Sequence, residues 1–392
     1  MFNFVADRVV QGKIYPALTQ IIAEPYTQSW REFGCHWPFV TPVRLQEYCE
    51  QHGFPYCIYA PTDNLPDDSL YPICLAFFDF DIDYIELLPP QILQRAKNKD
   101  FKLLFYYNEG DNPAKIQQRL NYLCDQHDLG HDCYLFISGN TAADQYKNFI
   151  YWPDHEVWFW QRNKNVRALD AHLKPRHREF TVLSRLHKSW RATVMADMFR
   201  SNLLNNSIWS YGLQDHRLMV DNPIEIDSID GLRRSIDKFL AGAPYAADDL
   251  SSDAHNDHSH VVDKHFTDSY CNIVLETMFD LDQSDGTMIS EKTYKPIKHG
   301  QIFMIVGPHG SLAELRRLGY CTFDSVLDNS YDNERNSTLR WVALRESMKK
   351  IQHDLPDIYQ QCYSDIMHNQ TLFCGSKFSR LNTLYQRIHE NY

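Results

Sequence analysis

Phe101-Lys102-Leu103-Leu104-Phe105-Tyr106-Tyr107 runs into Asn108-Glu109-Gly110-Asp111-Asn112-Pro113, and this junction decides the fold. A short apolar run that stops at turn-forming residues predicts a buried strand. Asn112 predicts a helix cap, with Pro113 at the first helical position. Ile116, Leu120 and Leu123 then recur at i, i+4 and i+7, which gives that helix one apolar face. Residues 133–137 predict the next strand, ending at Ser138-Gly139-Asn140. Upstream, 54–60 and 71–80 predict two more strands. Downstream, a short helix and an aromatic strand over 156–160 are expected. Such alternation implies a mainly parallel sheet covered by helices.

The pattern breaks at the polar, basic stretch His172-Leu173-Lys174-Pro175-Arg176-His177-Arg178 and then restarts. A strand over 180–183 precedes a helix over 191–204, with Val194, Met195, Met198, Phe199 and Leu203 on one side. Residues 272–279 predict a strand, 291–299 a partly helical segment and 301–306 another strand. The turn Gly307-Pro308-His309-Gly310 follows. Ser311 and Glu314 predict a capping box for a helix ending at Gly319. From 333 onward the pattern is mostly helical. The expected fold class is α/β: two Rossmann-like domains, 1–172 and 173–392, facing across a cleft, with a helical C-terminus. In open α/β sheets ligands sit outside the carboxyl ends of the strands.

The chain has 392 residues, with 39 Lys plus Arg against 51 Asp plus Glu, a formal charge of −12. An aromatic content of 14% excludes a disordered chain, and 15 Gly with 18 Pro exclude a collagenous one. The acidic balance opposes broad polyanion binding, so DNA is a disfavoured partner. No apolar run approaches a membrane span, and the first residues lack a secretory signal pattern. The ten cysteines are dispersed with no Cys-x-x-Cys pair, which predicts reduced thiols and a cytoplasmic location.

Two segments can carry chemistry. Between His172 and Arg191 there are six Lys/Arg (Lys174, Arg176, Arg178, Arg185, Lys188 and Arg191) against one acid, Glu179. A strand feeding a cationic loop and then a helix start is an anion site. The alternative is a solvated basic turn. In Ser290-Glu291-Lys292-Thr293-Tyr294-Lys295, a carboxylate can accept from ribose hydroxyls while an ammonium meets a phosphate; the plain alternative is a charged first helical turn. An Asp-x-Asp pattern follows strands at Asp79-x-Asp81-x-Asp83 and Asp280-Leu281-Asp282. A His/Asp-rich stretch includes His255, His258, His260 and His265 with Asp253, Asp257 and Asp263; it is expected to be a polar loop over 246–260. Trp152, Trp158, Trp160 and Trp190 are expected mostly in the core.

Tyr270-Cys271-Asn272-Ile273-Val274-Leu275-Glu276-Thr277, then Ser290-Glu291-Lys292-Thr293-Tyr294-Lys295, then Gly300 and Val306-Gly307-Pro308 resemble the donor-binding region of the α1,3-fucosyltransferase family. The order also resembles phage and bacterial glycosyltransferase-like proteins, through Gly310-Ser311-Leu312, Leu318-Gly319-Tyr320 and the upstream 184–191 segment. The resemblance covers the second half of the chain. Thr277 stands where the family has Asn, Ser290 where it has Thr, and Pro296 interrupts the helix start.

The resemblance implies a GT-B fold and a metal-independent, inverting glycosyltransferase. It would use a nucleoside-diphosphate sugar as co-substrate, a GDP-sugar by resemblance, and no other cofactor. Glu291 would hold the ribose and Lys292 the diphosphate, with Arg191 as partner; Arg185, Lys188 and Lys295 complete the expected donor set. Glu276 would lie near the sugar. A base should come from the first domain, Glu109 first and then Asp81 with Asp79 and Asp83; each is otherwise a turn-forming acid. The acceptor would be a hydroxyl of a glycan, protein or modified nucleobase. The alternatives are a metal-dependent Asp-x-Asp enzyme and a non-catalytic nucleotide- or glycan-binding protein on the same fold.

Overall fold

In the computed structural model the described residues are 1–7, 9–10, 13–14, 44–75, 78–163, 174–215, 222–247, 261–281, 286–375 and 377–392. They form two compact units. One comprises Met1–Val157, Leu281–Met288 and Ser376–Tyr392; the other comprises Trp158–Asp280 and Ile289–Gly375. The expected boundary at 172/173 lies outside the described residues.

The first unit begins with β1 (Phe2–Val5), a two-stranded ribbon β2 (Val9–Val10) and β3 (Lys13–Ile14), and helix α1 (Arg44–His52). Then come β4 (Tyr56–Tyr59), β5 (Ser69–Leu75), α2 (Pro90–Lys97), β6 (Lys102–Tyr107) and α3 (Pro113–Gln126). β7 (Tyr134–Ser138) and β8 (Phe149–Tyr151) follow, and α4 (Asp154–Arg162) begins in this unit and ends in the other. The six-stranded sheet has the order β4-β1-β5-β6-β7-β8. All its pairs are parallel. Asn112 caps α3 as its sequence predicts, accepting from the Ala114 N–H at 2.9 Å. Ile116, Leu120 and Leu123 turn inward and are buried.

The segment 156–160 is helical rather than a strand; the strand is the preceding β8. A short apolar run fits both states. Here polar contacts decide. Asp154 is 1% exposed and opens α4, accepting from Arg44 Nη1 at 3.1 Å, from Tyr48 Oη at 2.7 Å and from Tyr106 Oη. Glu156, fully buried, pairs with Lys377 and with Arg380 at 3.2 Å.

The second unit contains β9 (Arg178–His187), α5 (Ser189–Arg200), β10 (Ile208–Asp215), α6 (Leu232–Gly242), α7 (Asp263–Thr267) and β11 (Ser269–Leu275). α8 (Glu291–Lys298), β12 (Ile302–Val306), α9 (Ser311–Arg317), α10 (Ser337–Ile351), α11 (Leu355–Gln361) and α12 (Tyr363–Cys374) complete it. Its parallel sheet has the order β10-β9-β11-β12. The last helix, α13 (Phe378–Glu390), belongs to the first unit. The expectation of an α/β chain with two parallel sheets and a helical C-terminus holds.

Three local expectations change. Residues 184–187 continue β9, because Ser184 and Leu186 pair with Tyr211 and Gln214 of β10, so the junction with α5 shrinks to Lys188. Phe199 is 41% exposed and packs at the rim against Trp209 and Phe239. Ser311 and Glu314 do not form a capping box. The α9 start is capped by Asp332, which accepts from the Leu312 and Ala313 N–H groups, both at 3.0 Å. Ser311 instead donates to the Pro308 carbonyl, and Glu314 pairs with Arg317.

Arg176 is a structural staple, not part of an anion site. Only 6% exposed, it donates to the carbonyls of Phe266, Ser269 and Gly300 at 2.6–2.9 Å and to Tyr359 Oη at 2.7 Å. Burial lowers the pKa of its guanidinium. Among the described residues no helix is long and apolar enough to cross a membrane. Arg176→Met leaves several buried acceptors unmet, a loss of about 3 kcal/mol. At about 2–4 °C per kcal/mol for a unit of this size, the calorimetric midpoint of the second unit should fall by roughly 6–12 °C.

Candidate functional site

The carboxyl end of β11 gathers the charged residues of the second unit. β11 gives way to Glu276, whose N–H still donates to the Val306 carbonyl at 3.0 Å and so extends the ladder with β12. The Glu276 side chain is fully buried. Its Oε1 accepts from the Ser290 N–H at 3.2 Å and from Thr293 Oγ1 at 2.6 Å. Its Oε2 accepts from the Thr277 N–H at 3.1 Å and from the Ser290 hydroxyl. Ser290 in turn caps α8, accepting from the Lys292 N–H at 3.4 Å. One carboxylate therefore ties the end of a strand to the start of a helix, where the helix dipole also favours negative charge.

Three cations meet beside it. Lys188, the residue between β9 and α5, donates Nζ to the Thr277 carbonyl at 2.6 Å. Arg191, in the first turn of α5, donates Nη2 to the carbonyls of Glu276 at 2.6 Å and Leu275 at 3.3 Å. Lys292, in the first turn of α8, donates Nζ to Thr277 Oγ1 and to Glu291 Oε1, each at 3.0 Å. Arg191 is 4% exposed, and its Nε has no hydrogen-bond partner among the described residues. Burial pushes its pKa down to about 10, against the pull of Glu276 and Glu291, so it stays charged at neutral pH. Glu291 is 4% exposed at the first position of α8.

The loop after β12 closes the other side. A Cβ on Gly307 would lie 3.0 Å from Glu276 Cβ, so this position takes only glycine without displacement. Arg340 of α10, 2% exposed, donates to the carbonyls of Gly307 and Phe279, both at 3.2 Å, and pairs with Asp280. It thereby ties the loops after β11 and β12 together. Burial lowers the His309 pKa, and Arg340 and Arg335 add to the effect, which favours a neutral imidazole.

The hydrogen bonds above join Lys188, Arg191, Glu276, Glu291 and Lys292. Arg185 lies inside β9 and Lys295 one turn into α8. Glu109 and Asp81 lie in the first unit. Glu109 is half-buried just after β6, and Asp81 is exposed beyond β5, the neighbouring strand, with its N–H donating to Asp79 Oδ1 at 2.9 Å. Asp83 is a turn former, accepting from the Ile85 and Glu86 N–H groups and facing His127 Nε2 at 2.9 Å. Asp280 is taken by Arg340 and Ser337, while Asp282 and the stretch 248–260 with its histidines lie outside the described residues. Trp190 and Trp152 are buried, as expected. Thr277 and Arg340 carried no motif that marked them; only the family position of Thr277 pointed to that spot.

No protein-family model matches the sequence, and no curated protein matches it. Solved structures that it matches include an α1,3-fucosyltransferase, at 10% identity and TM-score 0.38, over 99% of this chain and 89% of that one. A UDP-forming α,α-trehalose-phosphate synthase from Burkholderia vietnamiensis matches at 10% identity and TM-score 0.38, over 83% and 75%. A glycosyltransferase from Rickettsia africae ESF-5 matches at 10% identity and TM-score 0.39, over 100% and 99%.

Every group around the Glu276 carboxylate donates, so an amide there turns one acceptor into a clashing donor. Glu276→Gln should destabilise by about 2 kcal/mol. It should also speed amide exchange at 291–293, the start of α8. An unchanged unfolding midpoint with unchanged exchange would show that the carboxylate does not hold the helix.

Proposed function

We propose that the chain is a glycosyltransferase that moves a sugar from a nucleoside-diphosphate sugar to an acceptor hydroxyl. The observation that carries this reading is the meeting of Lys188, Arg191 and Lys292 at residues 275–277, anchored largely on neutral carbonyl and hydroxyl oxygens. Glu276, held by its own hydrogen bonds, and Glu291 both pull on Arg191, so two carboxylates stand beside three cations. Two helix starts, of α5 and α8, add their positive ends. A diphosphate suits that charge and spacing.

In the reaction the acceptor oxygen bonds to the anomeric carbon as the bond from that carbon to the phosphate oxygen breaks. Negative charge grows on the departing diphosphate, and cations already fixed in place stabilise it without reorganising. Glu291 accepts from the ribose hydroxyls. Glu276 acts as a positioning residue rather than touching the sugar. The acceptor proton passes to a carboxylate of the first unit, Glu109 or, next, Asp81. A GDP-sugar donor, a metal-independent inverting displacement and a cytoplasmic setting complete the reading, with a glycan, protein or modified nucleobase as acceptor. Arg185 and Lys295 are assigned to the outer part of the donor site.

Calorimetry with GDP, UDP and ADP at up to millimolar concentration, with and without EDTA, tests the donor site. One nucleotide should bind equally in both conditions. Arg191→Met or Lys292→Met should weaken it about 10–100-fold, the worth of one charge-assisted contact. No binding of any of the three overturns the reading, and loss with EDTA moves it to the metal-dependent alternative.

The base is tested separately, by sugar transfer across a donor and acceptor panel. Glu109→Gln should cut transfer by roughly 10²–10⁴ with nucleotide affinity unchanged. If Glu109→Gln and Asp81→Asn both transfer at the wild-type rate, neither is the base. Tight binding with no turnover in the wild type favours a non-catalytic binding protein.

A further inference from the structure

Residues 286–288 lie just before the donor-binding helix α8, yet they belong to the first unit. The Thr141 N–H donates to the Thr287 carbonyl at 2.9 Å, and the Thr287 N–H donates to Thr141 Oγ1 at 2.8 Å. Gly286 is pressed against the loop after β7: a Cβ there would sit 1.9 Å from Asn140 Oδ1 and 2.6 Å from the Ala142 nitrogen. Met288 and Leu281 pack on Gly110, where an added Cβ would meet them at 3.1 and 3.2 Å. Asn140, fully buried, donates Nδ2 to the Gly110 carbonyl at 2.9 Å and to the Asp111 carbonyl at 3.3 Å. Its Oδ1 accepts from the Ala142 N–H at 2.9 Å.

The chain is continuous from this anchor into the donor site. Met288, against Gly110, is followed by Ile289 and then by Ser290, which bonds Glu276 and caps α8. On the other side, Gly110 directly follows Glu109. Gly110, next to Glu109, packs on Met288, and Met288 stands two residues before Ser290 in the chain. A stretch this short transmits displacement, because an extended residue spans at most about 3.6 Å.

We propose that residues 286–288, pinned by Thr141 and Asn140, are a coupling strap by which an occupied donor site orders the loop that carries Glu109. This rests on the donor site proposed above. Thr141, Asn140 and Gly286 are positioning residues, which touch neither donor nor acceptor. A ligand shifts a distant loop only by favouring one of its states, and ordering α8 favours the anchored state of the strap that leads into it.

Hydrogen exchange of the full chain, with and without a saturating amount of whichever of GDP, UDP or ADP binds by calorimetry, tests the coupling. Amides at 108–111 and 139–142 should slow on binding by on the order of tenfold, together with those at 291–293. Thr141→Val removes the hydroxyl that accepts from Thr287; it should keep nucleotide affinity within about twofold and lose the slowing at 108–111. Thr141→Ser retains the hydroxyl and should restore it. Gly286→Ala gives a second break should Thr141→Val fold poorly. Slowing confined to the second unit, or slowing preserved in both Thr141→Val and Gly286→Ala, overturns the strap while leaving the donor site intact. Failure of all three nucleotides to bind overturns the donor site and the strap with it.

Discussion

The Glu276 carboxylate is the constraint on which the second unit's site depends. A buried, ionised carboxylate is costly unless its oxygens are fully occupied. Here four donors from three residues occupy them, and the start of α8 supplies part of the field. The same bonds set where α8 begins, and so where Lys292 and Glu291 stand. The close approach of Gly307 to Glu276 follows from the same packing, since a side chain there would push the loop after β12 off the strand end. Helix start, strand end and neighbouring loop are registered by one side chain.

How much of this was legible in the sequence depends on the range of the interaction. The strand over 102–107 and the Asn112 cap were legible because both are local: an apolar run, a turn and a cap within about a dozen residues. The segment 156–160 was not, because its state is decided by Arg44, Tyr48, Tyr106 and Lys377, which lie far away in the chain. The α9 cap failed for the same reason. Asp332 sits some twenty residues downstream and outcompetes the local Ser311–Glu314 pairing. Arg340 ties two loops from more than thirty residues away.

The basic segment shows the limit of counting charge. Six cations between His172 and Arg191 share one stretch of sequence but not one role. Arg176 is buried among carbonyls and staples the unit, while Arg178 is exposed and bonds Asn206 Oδ1. Lys188 and Arg191 are bonded to the end of β11. What separates them is position along β9. Arg176 and Arg178 lie at its amino end, Lys188 and Arg191 beyond its carboxyl end. A parallel strand puts those two groups on opposite edges of the sheet, so the rule that ligands sit at carboxyl ends sorts the cations where composition could not.

The partners of these cations then decide what they are good for. Arg340 faces Asp280, and Arg345 faces Asp197 at 2.9 Å; each charge is neutralised and the pair serves packing. Lys188 and Arg191 bond main-chain carbonyls at the same edge. A carbonyl fixes direction without cancelling charge, whereas a carboxylate about 4 Å away would offset roughly 4 kcal/mol of attraction toward an incoming anion at a surface-like dielectric. Orientation by neutral oxygens removes the freedom a loose lysine would lose on binding without adding to the pull that Glu276 and Glu291 already exert on Arg191. In a chain of net charge −12 the surrounding acidity gives little help in attracting anions, so affinity must come from this short-range focus. That is why the carbonyls of Leu275, Glu276 and Thr277 matter as much as the cations themselves: they keep positive charge aimed at one edge of the sheet.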